Sequence, residues 1–178
     1  MNQDDLKALV RTVPDFPKPG IQFRDITTLL ADGEGLTASV EMIAGRANAV
    51  GAGAIAGMEA RGFIFGAAVA SMLMLGFVPV RKAGKLPVPT IGIDYSLEYG
   101  EARLEIDPTL IAEGERIIIV DDLIATGGTA LAAAQLLRRA GAVVDRALFV
   151  IDLPDLGGAA KLRENGIEVE ALMQFEGD

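Results

Sequence analysis

The stretch IIIVDDLIATGGT, Ile117–Thr129, decides the fold class of this chain. Four β-branched residues in succession are typical of a strand that is buried on both faces of a sheet. Two acids, Asp121 and Asp122, follow this run, and a small loop with two glycines and two threonines comes next. The sequence therefore predicts a strand over 116–121, a tight turn and a helix over 127–140.

Outward from this stretch, short apolar runs alternate with helical patterns. Further strands are predicted at 54–58, 77–81, 91–94, 103–106, 143–151 and 168–172. Further helices are predicted at 4–10, 35–49, 63–75 and 158–164. The alternation indicates βαβ units and therefore an α/β fold, a parallel twisted sheet that is flanked by helices. The proline-rich segment 13–27 predicts an ordered, extended loop, and the polar tip between 94 and 103 predicts a projecting flap.

Length and composition limit the class of protein. The 178 residues predict a single domain over 1–178, with an N-terminal region at 1–34 and a basic loop and flap at 82–106. The formal net charge of −9 would repel nucleic acid. The acidic start, MNQDDLKALV, lacks the apolar segment of a secretion signal, and no long apolar run predicts a membrane span. We therefore expect a cytoplasmic protein.

The residue types also limit the chemistry. The chain has no cysteine and no histidine, which excludes thiolate and imidazole catalysis. Any catalysis must therefore depend on carboxylates, lysine, arginine, tyrosine, backbone amides or a hard metal ion. The 21 glycines are about 12% of the chain, against a usual share of about 7%, and they indicate turns and close backbone approaches.

The loop Ala125–Thr129 has the features of a phosphate site. Amides of a glycine-paired loop at a helix N-terminus attract anions, and Thr126 and Thr129 add hydroxyl donors. Asp121 and Asp122 would repel a phosphate but suit sugar hydroxyls or a divalent metal. Together the two features indicate a ribose 5-phosphate, although a capped tight turn alone would explain the glycines. The common nucleotide motifs GxxxxGK[ST] and GxGxxG are absent from this stretch.

Two basic segments are candidates for binding a pyrophosphate. Arg61 lies in Glu59–Gly62, where a predicted strand ends and a helix begins, and this position suits polyphosphate binding. The loop 81–85 carries Arg81, Lys82 and Lys85 within a very acidic chain. Ordinary solvated surface residues are the alternative for both segments.

Two aromatic residues and one acid complete the candidates. Glu98, on the predicted flap, is a candidate general acid or base in a chain without histidine. Tyr99, beside it, is a candidate for closing over the site. Phe23 could stack on a flat base, but its spacing alone favours ordinary packing.

These motifs, in this order, resemble a known family. VDDLIATGGT resembles the phosphoribosyl-pyrophosphate-binding motif of the type I phosphoribosyltransferases. Four further segments resemble the adenine-specific members: FPKPGIQFRDIT (16–27), EARGFIFG (59–66), RKAGKLP (81–87) and YSLEYG (95–100). The resemblance runs from about Val10 to the C-terminus. It implies a type I phosphoribosyltransferase fold with an N-terminal hood loop and a flexible flap.

The resemblance also implies a reaction and a set of ligands. Members of that branch join adenine to phosphoribosyl pyrophosphate with Mg²⁺ and give AMP and pyrophosphate, in purine salvage. The resemblance places the metal mainly on the pyrophosphate of the substrate rather than on protein ligands. It implies a homodimer as well, because Arg81 would reach the site of the neighbouring subunit.

Roles for the individual residues follow from the same resemblance. The 5-phosphate would lie on Ala125, Thr126, Gly127, Gly128 and Thr129, and the ribose hydroxyls on Asp121 and Asp122. The pyrophosphate would face Arg61, Lys82 and Lys85. Adenine would stack on Phe23, and the backbone of Gln22 and Arg24 would recognise its edge. Glu98 would be the acid–base group at the purine, Tyr99 would cover the reacting bond, and the Ala60–Arg61 peptide would be cis.

Three alternatives compete with this prediction. A phosphoribosyltransferase for hypoxanthine or xanthine would place base recognition on a C-terminal hood, whereas the candidate loop here is N-terminal. A non-catalytic regulator that senses phosphoribosyl pyrophosphate would carry a basic face or a nucleic-acid-binding extension. A phosphoribosyl pyrophosphate synthetase would need a second, duplicated domain.

Overall fold

A computed structural model describes residues 1–97 and 100–177 of the chain. Its strands are β1 (Arg11–Pro14), β2 (Gln22–Asp25), β3 (Ala54–Met58), β4 (Gly76–Lys82), β5 (Ile91–Ser96), β6 (Glu101–Ile106), β7 (Ile117–Ile124), β8 (Arg146–Asp152) and β9 (Glu168–Gln174). Its α-helices are α1 (Gln3–Leu9), α2 (Thr27–Ala31), α3 (Gly33–Ala49), α4 (Gly62–Met72), α5 (Gly128–Arg139) and α6 (Gly158–Glu164). Helix α2 was not predicted from the sequence, and the other five α-helices of the described residues were predicted.

The main sheet has seven strands in the order β5-β6-β4-β3-β7-β8-β9. Strands β4, β3, β7, β8 and β9 run parallel to one another. The predicted flap strands differ from this pattern, because β5 and β6 form an antiparallel hairpin that pairs with the end of β4 through Arg81 and Lys82. The flap is therefore rooted in the edge of the sheet.

Helices cover both faces of this sheet. One buried cluster joins α1, α2, α3 and α4 to one face through residues such as Leu6, Leu29, Ile43 and Phe65. A second cluster joins α5 and α6 to the other face through residues such as Leu136 and Leu162. Within the described ranges, no helix is both long and apolar enough to span a bilayer.

The central strand β7 differs from its prediction in one respect. It was expected to end at Asp121, but it continues through both acids to Ile124. Leu123 and Ile124 pair with Ile151 and Asp152 of β8, which holds the chain extended beyond the acids. The two acids therefore lie within a paired strand, and their backbone is fixed by the sheet.

The segment 13–27 was predicted to be an extended loop, and that prediction was wrong in part. Strands β1 and β2 form an antiparallel hairpin that is separate from the main sheet, with Pro14 opposite Gln22. Proline is tolerated at the end of such a short edge strand because no ladder hydrogen bond is needed there. The prolines confine the irregular chain to the tip of the hairpin, where the Phe16–Pro17 peptide is cis.

The strand order determines where a ligand can bind. β3 connects to β4 on one side, while the chain later returns to place β7 on the other side of β3. A crevice opens at such a switch point, beyond the carboxyl ends of the two diverging strands. The segments that follow β3 and the end of β7 are therefore brought together there.

Candidate active site

A cavity of about 470 Å³ lies at this switch point. It is lined by Met58, Glu59, Ala60 and Arg61 after β3, by Lys82 at the end of β4, by residues 121–130, and by Phe149 of β8. The cavity therefore brings together Arg61, Lys82, both acids and the whole loop Ala125–Thr129, as the sequence predicted.

The loop Ala125–Thr129 presents the N-terminus of α5 to the cavity. Gly127 is the N-cap residue and has φ +78, a left-handed conformation that glycine adopts without strain. A Cβ atom at Gly127 would lie 2.8 Å from the carbonyl oxygen of Gly158. Among residues 1–97 and 100–177, no side chain caps the helix, so its first-turn amides can bind an anion.

Asp121 and Asp122 lie side by side at the other end of that loop. The carboxylate of Asp121 packs against the start of α4, where a Cβ atom at Gly62 would lie 2.7 Å from Oδ1. Oδ1 of Asp121 also accepts a hydrogen bond from the amide of Asp122. Burial, followed by the charge of Asp122, raises the pKa of Asp121 well above its ordinary value.

Arg61 and Lys82 supply positive charge to the same cavity. The Nε atom of Arg61 lies 2.5 Å from Oδ2 of Asp122, whose side chain is only 5% exposed. Helix α4 begins at Gly62, directly after Arg61, and it too has no side-chain cap in the part of the chain that the structure describes. Two helix N-termini therefore border one cavity, which favours negative charge in a ligand.

Glu59 organises the basic loop. Its Oε2 accepts hydrogen bonds from the amide of Lys82 and from Nε of Arg81, at 3.1 and 3.2 Å. The pKa of Glu59 is lowered, chiefly by the hydrogen bond from the Lys82 amide, and the charges of Arg81 and Lys85 act in the same direction. Glu59 is therefore a carboxylate that holds the loop 81–85 near the cavity.

Arg81 and Lys85 do not line the cavity. A guanidinium NH of Arg81 donates to the carbonyl oxygen of Lys85 within the loop, and its Nε is bound by Glu59 of the same chain. The expected contact of Arg81 with a neighbouring subunit stays a prediction.

The three predicted base-binding residues lie together on the hairpin β1–β2. Gln22, Phe23 and Arg24 belong to β2, and none of them lines the cavity. Phe23 is half-buried and packs edge-on against Phe16, with ring centroids 5.2 Å apart. Its partner Phe16 is 52% exposed, so this end of the hairpin presents aromatic surface to solvent.

The predicted catalytic residues Glu98 and Tyr99 lie outside the described residues. Strand β5 of the same flap does reach the site, because Thr129 Oγ1 lies 3.4 Å from the hydroxyl of Tyr95. This contact links the flap to the phosphate loop.

The predicted position of the cis peptide was wrong by one residue. The cis bond joins Glu59 to Ala60 rather than Ala60 to Arg61. A cis bond before a residue other than proline has no local sequence signature, so the motif located the segment but not the bond.

The sequence reasoning missed several residues of the cavity: Met58, Leu123, Ile124 and Phe149. The role of Glu59 in holding the basic loop was missed as well. Phe149 lies opposite Asp121 in the β7–β8 register, and this pairing becomes visible only when the sheet is assembled. Glu59 lies two positions before Arg61 in the sequence, and an acid so close to a candidate anion-binding arginine was the available signal.

The donor set of the cavity fits a Mg²⁺ ion that is shared with a ligand. Carboxylate oxygens are the ligands that Mg²⁺ prefers, and it usually combines one or two of them with substrate phosphates and waters. Asp121 and Asp122 supply such oxygens in the cavity. Among residues 1–97 and 100–177, no group of three or more acids is placed to hold a metal ion without help.

Comparisons with known proteins agree with this geometry. A family model described as the phosphoribosyl transferase domain matches residues 26–160. An adenine phosphoribosyltransferase from Novosphingobium aromaticivorans is 72% identical over 177 residues, which are 99% of each chain. A crystal structure of adenine phosphoribosyltransferase from Thermoanaerobacter pseudethanolicus matches with a TM-score of 0.92 and 45% identity, over 98% of this chain and 100% of that one.

A third relative was solved with ligands. The structure of adenine phosphoribosyltransferase from Saccharomyces cerevisiae, complexed with an imino-altritol bisphosphate and adenine, is 36% identical, with a TM-score of 0.90 and coverage of 96% of this chain and 98% of that one. These matches confirm the predicted type I phosphoribosyltransferase fold. The chain therefore belongs to the adenine phosphoribosyltransferase family.

Proposed function

We propose that the cavity binds phosphoribosyl pyrophosphate and that the chain transfers its phosphoribosyl group to adenine, giving AMP and pyrophosphate. One observation carries this proposal: the uncapped N-terminus of α5 and the paired acids Asp121 and Asp122 border a single cavity. The helix N-terminus suits a phosphate, and the two acids suit the hydroxyls of a sugar diol. A ribose 5-phosphate carries both groups.

The 5-phosphate occupies the loop Ala125–Thr129 in this proposal. The amides of Gly128 and Thr129 donate to the phosphate oxygens, and the hydroxyls of Thr126 and Thr129 add two donors. Gly127 has the backbone conformation that allows the loop to turn closely. The ribose hydroxyls then donate to Asp121 and Asp122 within β7.

The pyrophosphate faces Arg61 and Lys82, with Lys85 nearby. The support for this role is that Arg61 and Lys82 line the same cavity as the phosphate loop. The charge of Lys85 helps to lower the pKa of Glu59, which also lines the cavity. A Mg²⁺ ion shared between the pyrophosphate oxygens and Asp121 or Asp122 would neutralise charge on the leaving group. The cations and the N-terminus of α4 stabilise the same charge.

Adenine is bound beneath the hairpin β1–β2, by stacking on Phe23 and by hydrogen bonds to the backbone of Gln22 and Arg24. The half-buried Phe23 on an exposed hairpin supports this role, as does the adenine bound by the relative from S. cerevisiae. The edge of adenine is matched by a backbone amide and a carbonyl, which do not depend on side-chain charge.

The transfer is a displacement at C1 of the ribose. The C1–O bond to pyrophosphate breaks, a ring nitrogen of adenine bonds to C1, and its proton passes to a base, for which we propose Glu98. The charge that develops on C1 needs no nucleophilic side chain, which suits a chain with neither cysteine nor histidine. Tyr99 and the flap exclude water, which would otherwise hydrolyse the sugar donor.

We also propose a homodimer in the cytoplasm. In the dimer, Arg81 would leave Glu59 and reach the pyrophosphate of the neighbouring subunit. An acidic chain of this composition suits a small anionic substrate that arrives with Mg²⁺ rather than a nucleic acid.

The test is pyrophosphate release by the purified chain with phosphoribosyl pyrophosphate, Mg²⁺ and one nucleobase at a time. We expect release with adenine, little release with hypoxanthine, guanine or xanthine, and none when the metal is chelated. Equal rates with hypoxanthine or guanine would contradict the adenine assignment, and full activity in excess chelator would contradict the role of Mg²⁺.

A further inference from the structure

The side chain of Arg24 joins the hairpin β1–β2 to the C-terminal tail, which we define as Phe175–Gly177. One guanidinium NH donates to Thr12 Oγ1 across the hairpin at 2.6 Å, and the other donates to the carbonyl oxygen of Glu176 at 2.8 Å. The guanidinium carbon also lies 4.8 Å from the ring centroid of Phe175. Residues that are about 150 positions apart in sequence therefore meet at one side chain.

Phe175 is fixed to the body of the protein at the same time. Its amide donates to the carbonyl oxygen of Asp152 at the end of β8, and its half-buried ring packs on the cluster that includes α1 and α2. The ammonium of Lys7 lies 4.8 Å from the ring centroid, as the guanidinium of Arg24 does. Two cations on one aromatic ring make this a specific contact rather than general apolar packing.

The last residue of the tail is held by the loop that follows β8. The amide of Gly177 donates to Oδ2 of Asp155 at 2.8 Å. That loop is fixed to the phosphate loop by its own backbone, because the amide of Gly158 donates to the carbonyl oxygen of Ala125. The tail therefore runs from a rigid part of the site to the hairpin.

The hairpin depends on such contacts for its position. It forms a two-stranded sheet of its own and does not pair with the seven-stranded sheet. The Nε atom of Arg24 is buried and makes no hydrogen bond within the described residues. Without the tail, the half-buried guanidinium would lose its bond to Glu176 and keep its bond to Thr12, which lies on the hairpin itself.

We propose that the C-terminal tail positions the base-binding hairpin, with Arg24 as the positioning residue and Phe175 as its anchor. The inference rests on the proposed function, because it assigns recognition of the base to the backbone of Gln22 and Arg24. The guanidinium holds that backbone against the tail without contacting the base. Binding of adenine then depends on the tail, whereas binding of phosphoribosyl pyrophosphate depends on the loops that are fixed to the sheet.

The test compares three variants of the full-length chain. Phe175→Leu removes the ring but keeps apolar volume, Phe175→Tyr keeps the ring, and Ile167→Val truncates a buried side chain remote from the hairpin. For Phe175→Leu we expect the KM for adenine to rise about tenfold, as loss of the cation–ring contacts implies. Its kcat and its KM for phosphoribosyl pyrophosphate should stay within about twofold. Phe175→Tyr should keep the adenine KM of the wild type. Ile167→Val should lower the melting temperature without changing either KM.

Hydrogen exchange of the amides of residues 22–25 tests, without turnover, whether the tail holds the hairpin. We expect Phe175→Leu to accelerate their exchange and Ile167→Val to leave it unchanged. Unchanged exchange in Phe175→Leu would overturn the proposal, and so would equal increases in both KM values or an adenine KM that stays within twofold. A wild-type chain that transfers nothing to adenine would refute the proposed function instead, and the exchange experiment would still decide whether the tail holds the hairpin.

Discussion

The guanidinium of Arg61 and the carboxylate of Asp122 form an ion pair across the cavity, with Nε 2.5 Å from Oδ2. In the proposed function the two residues bind different parts of the donor: Arg61 binds the pyrophosphate and Asp122 binds the ribose hydroxyls. Asp122 is buried, while the side chain of Arg61 is 55% exposed. Arg61 is thus the partner that can move toward a bound donor, and Asp122 is fixed in β7.

We predict that Asp122→Asn lowers kcat/KM for phosphoribosyl pyrophosphate by about 10- to 100-fold, because one charge-assisted hydrogen bond contributes roughly 1.5–3 kcal/mol. Asp121→Asn should cost less, since burial and the charge of Asp122 raise the pKa of Asp121 and an amide resembles its protonated form. The double variant should lose about 100-fold or more while its circular dichroism spectrum is unchanged. Steady-state kinetics at several pH values measures all three.

Two outcomes would contradict this argument. Equal losses in the two single variants would mean that the carboxylates have the same charge and the same role. Unchanged activity in the double variant would remove the assignment of the ribose to this pair. Glu164→Gln, at an exposed carboxylate of α6, is the control for loss of one acid elsewhere.

A second prediction concerns the close approach of two backbones at the phosphate loop. Gly127 and Gly157 both have positive φ, +78 and +75, but only at Gly127 would a Cβ atom meet neighbouring backbone, 2.8 Å from the Gly158 oxygen. Gly157→Ala should lower the free energy of unfolding by about 1 kcal/mol, the usual cost of a left-handed alanine. Gly127→Ala should lower it further, and its KM for phosphoribosyl pyrophosphate should rise.

Urea unfolding and donor kinetics of the two variants separate conformational strain from crowding. Equal stability losses in Gly127→Ala and Gly157→Ala would show that the loop can move away from Gly158. An unchanged donor KM in a folded Gly127→Ala would argue against the phosphate assignment of this loop.

Much of this site could be predicted from local sequence because its parts follow one another along the chain. The β-branched run, the acids and the glycine pair of 117–129 form strand, carboxylates and helix N-terminus in that order, and the structure keeps them in one cavity. Arg61 was placed correctly for a similar reason, because it lies where β3 gives way to α4.

What could not be predicted depends on pairing between distant segments. Leu123 and Ile124 are held in β7 by Ile151 and Asp152 of β8, and Phe149 reaches the cavity through its register with Asp121. The hairpin β1–β2 forms although its tip contains prolines, and Arg11 and Asp25 face each other at its open end and form an ion pair. Local propensity contains none of this information.

A third prediction concerns Asp25 and acid stability. Its carboxylate accepts hydrogen bonds from the amide and hydroxyl of Thr27 and from Arg11, and these lower its pKa from 3.8 to about 2. A carboxyl whose pKa is lower in the folded state stabilises the fold above its unfolded pKa. We therefore expect the contribution to be complete above about pH 4 and lost as the pH falls toward 2.

Urea unfolding of the wild type and Asp25→Asn between pH 2 and 7 measures this contribution. The variant should be less stable at pH 7, and the difference between the two proteins should shrink as the pH falls through 4 to 2. A difference that stays constant over this range would mean that the carboxylate charge of Asp25 contributes nothing.

The last prediction concerns Asp152, a buried acid with the opposite shift. Asp152 is 4% exposed. Its Oδ2 accepts a hydrogen bond from Gln174 Nε2 at 3.2 Å, whereas its Oδ1 has no hydrogen-bond partner within the described residues. Burial raises its pKa, partly offset by Gln174 and Arg163. An ionised carboxylate with one unsatisfied oxygen is costly in this position, whereas a neutral amide costs less.

We expect Asp152→Asn to raise the free energy of unfolding by about 1 kcal/mol at pH 7. A carboxyl whose pKa is raised in the folded state makes the fold less stable as the pH rises, so the advantage of the variant should vanish below about pH 4, where wild-type Asp152 is protonated in both states. Urea unfolding from pH 3 to 8 measures the difference in stability between the variant and the wild type, with Glu164→Gln as the control at an exposed acid. If Asp152→Asn is less stable than the wild type at pH 7, the buried charge of Asp152 stabilises the fold and this argument is wrong.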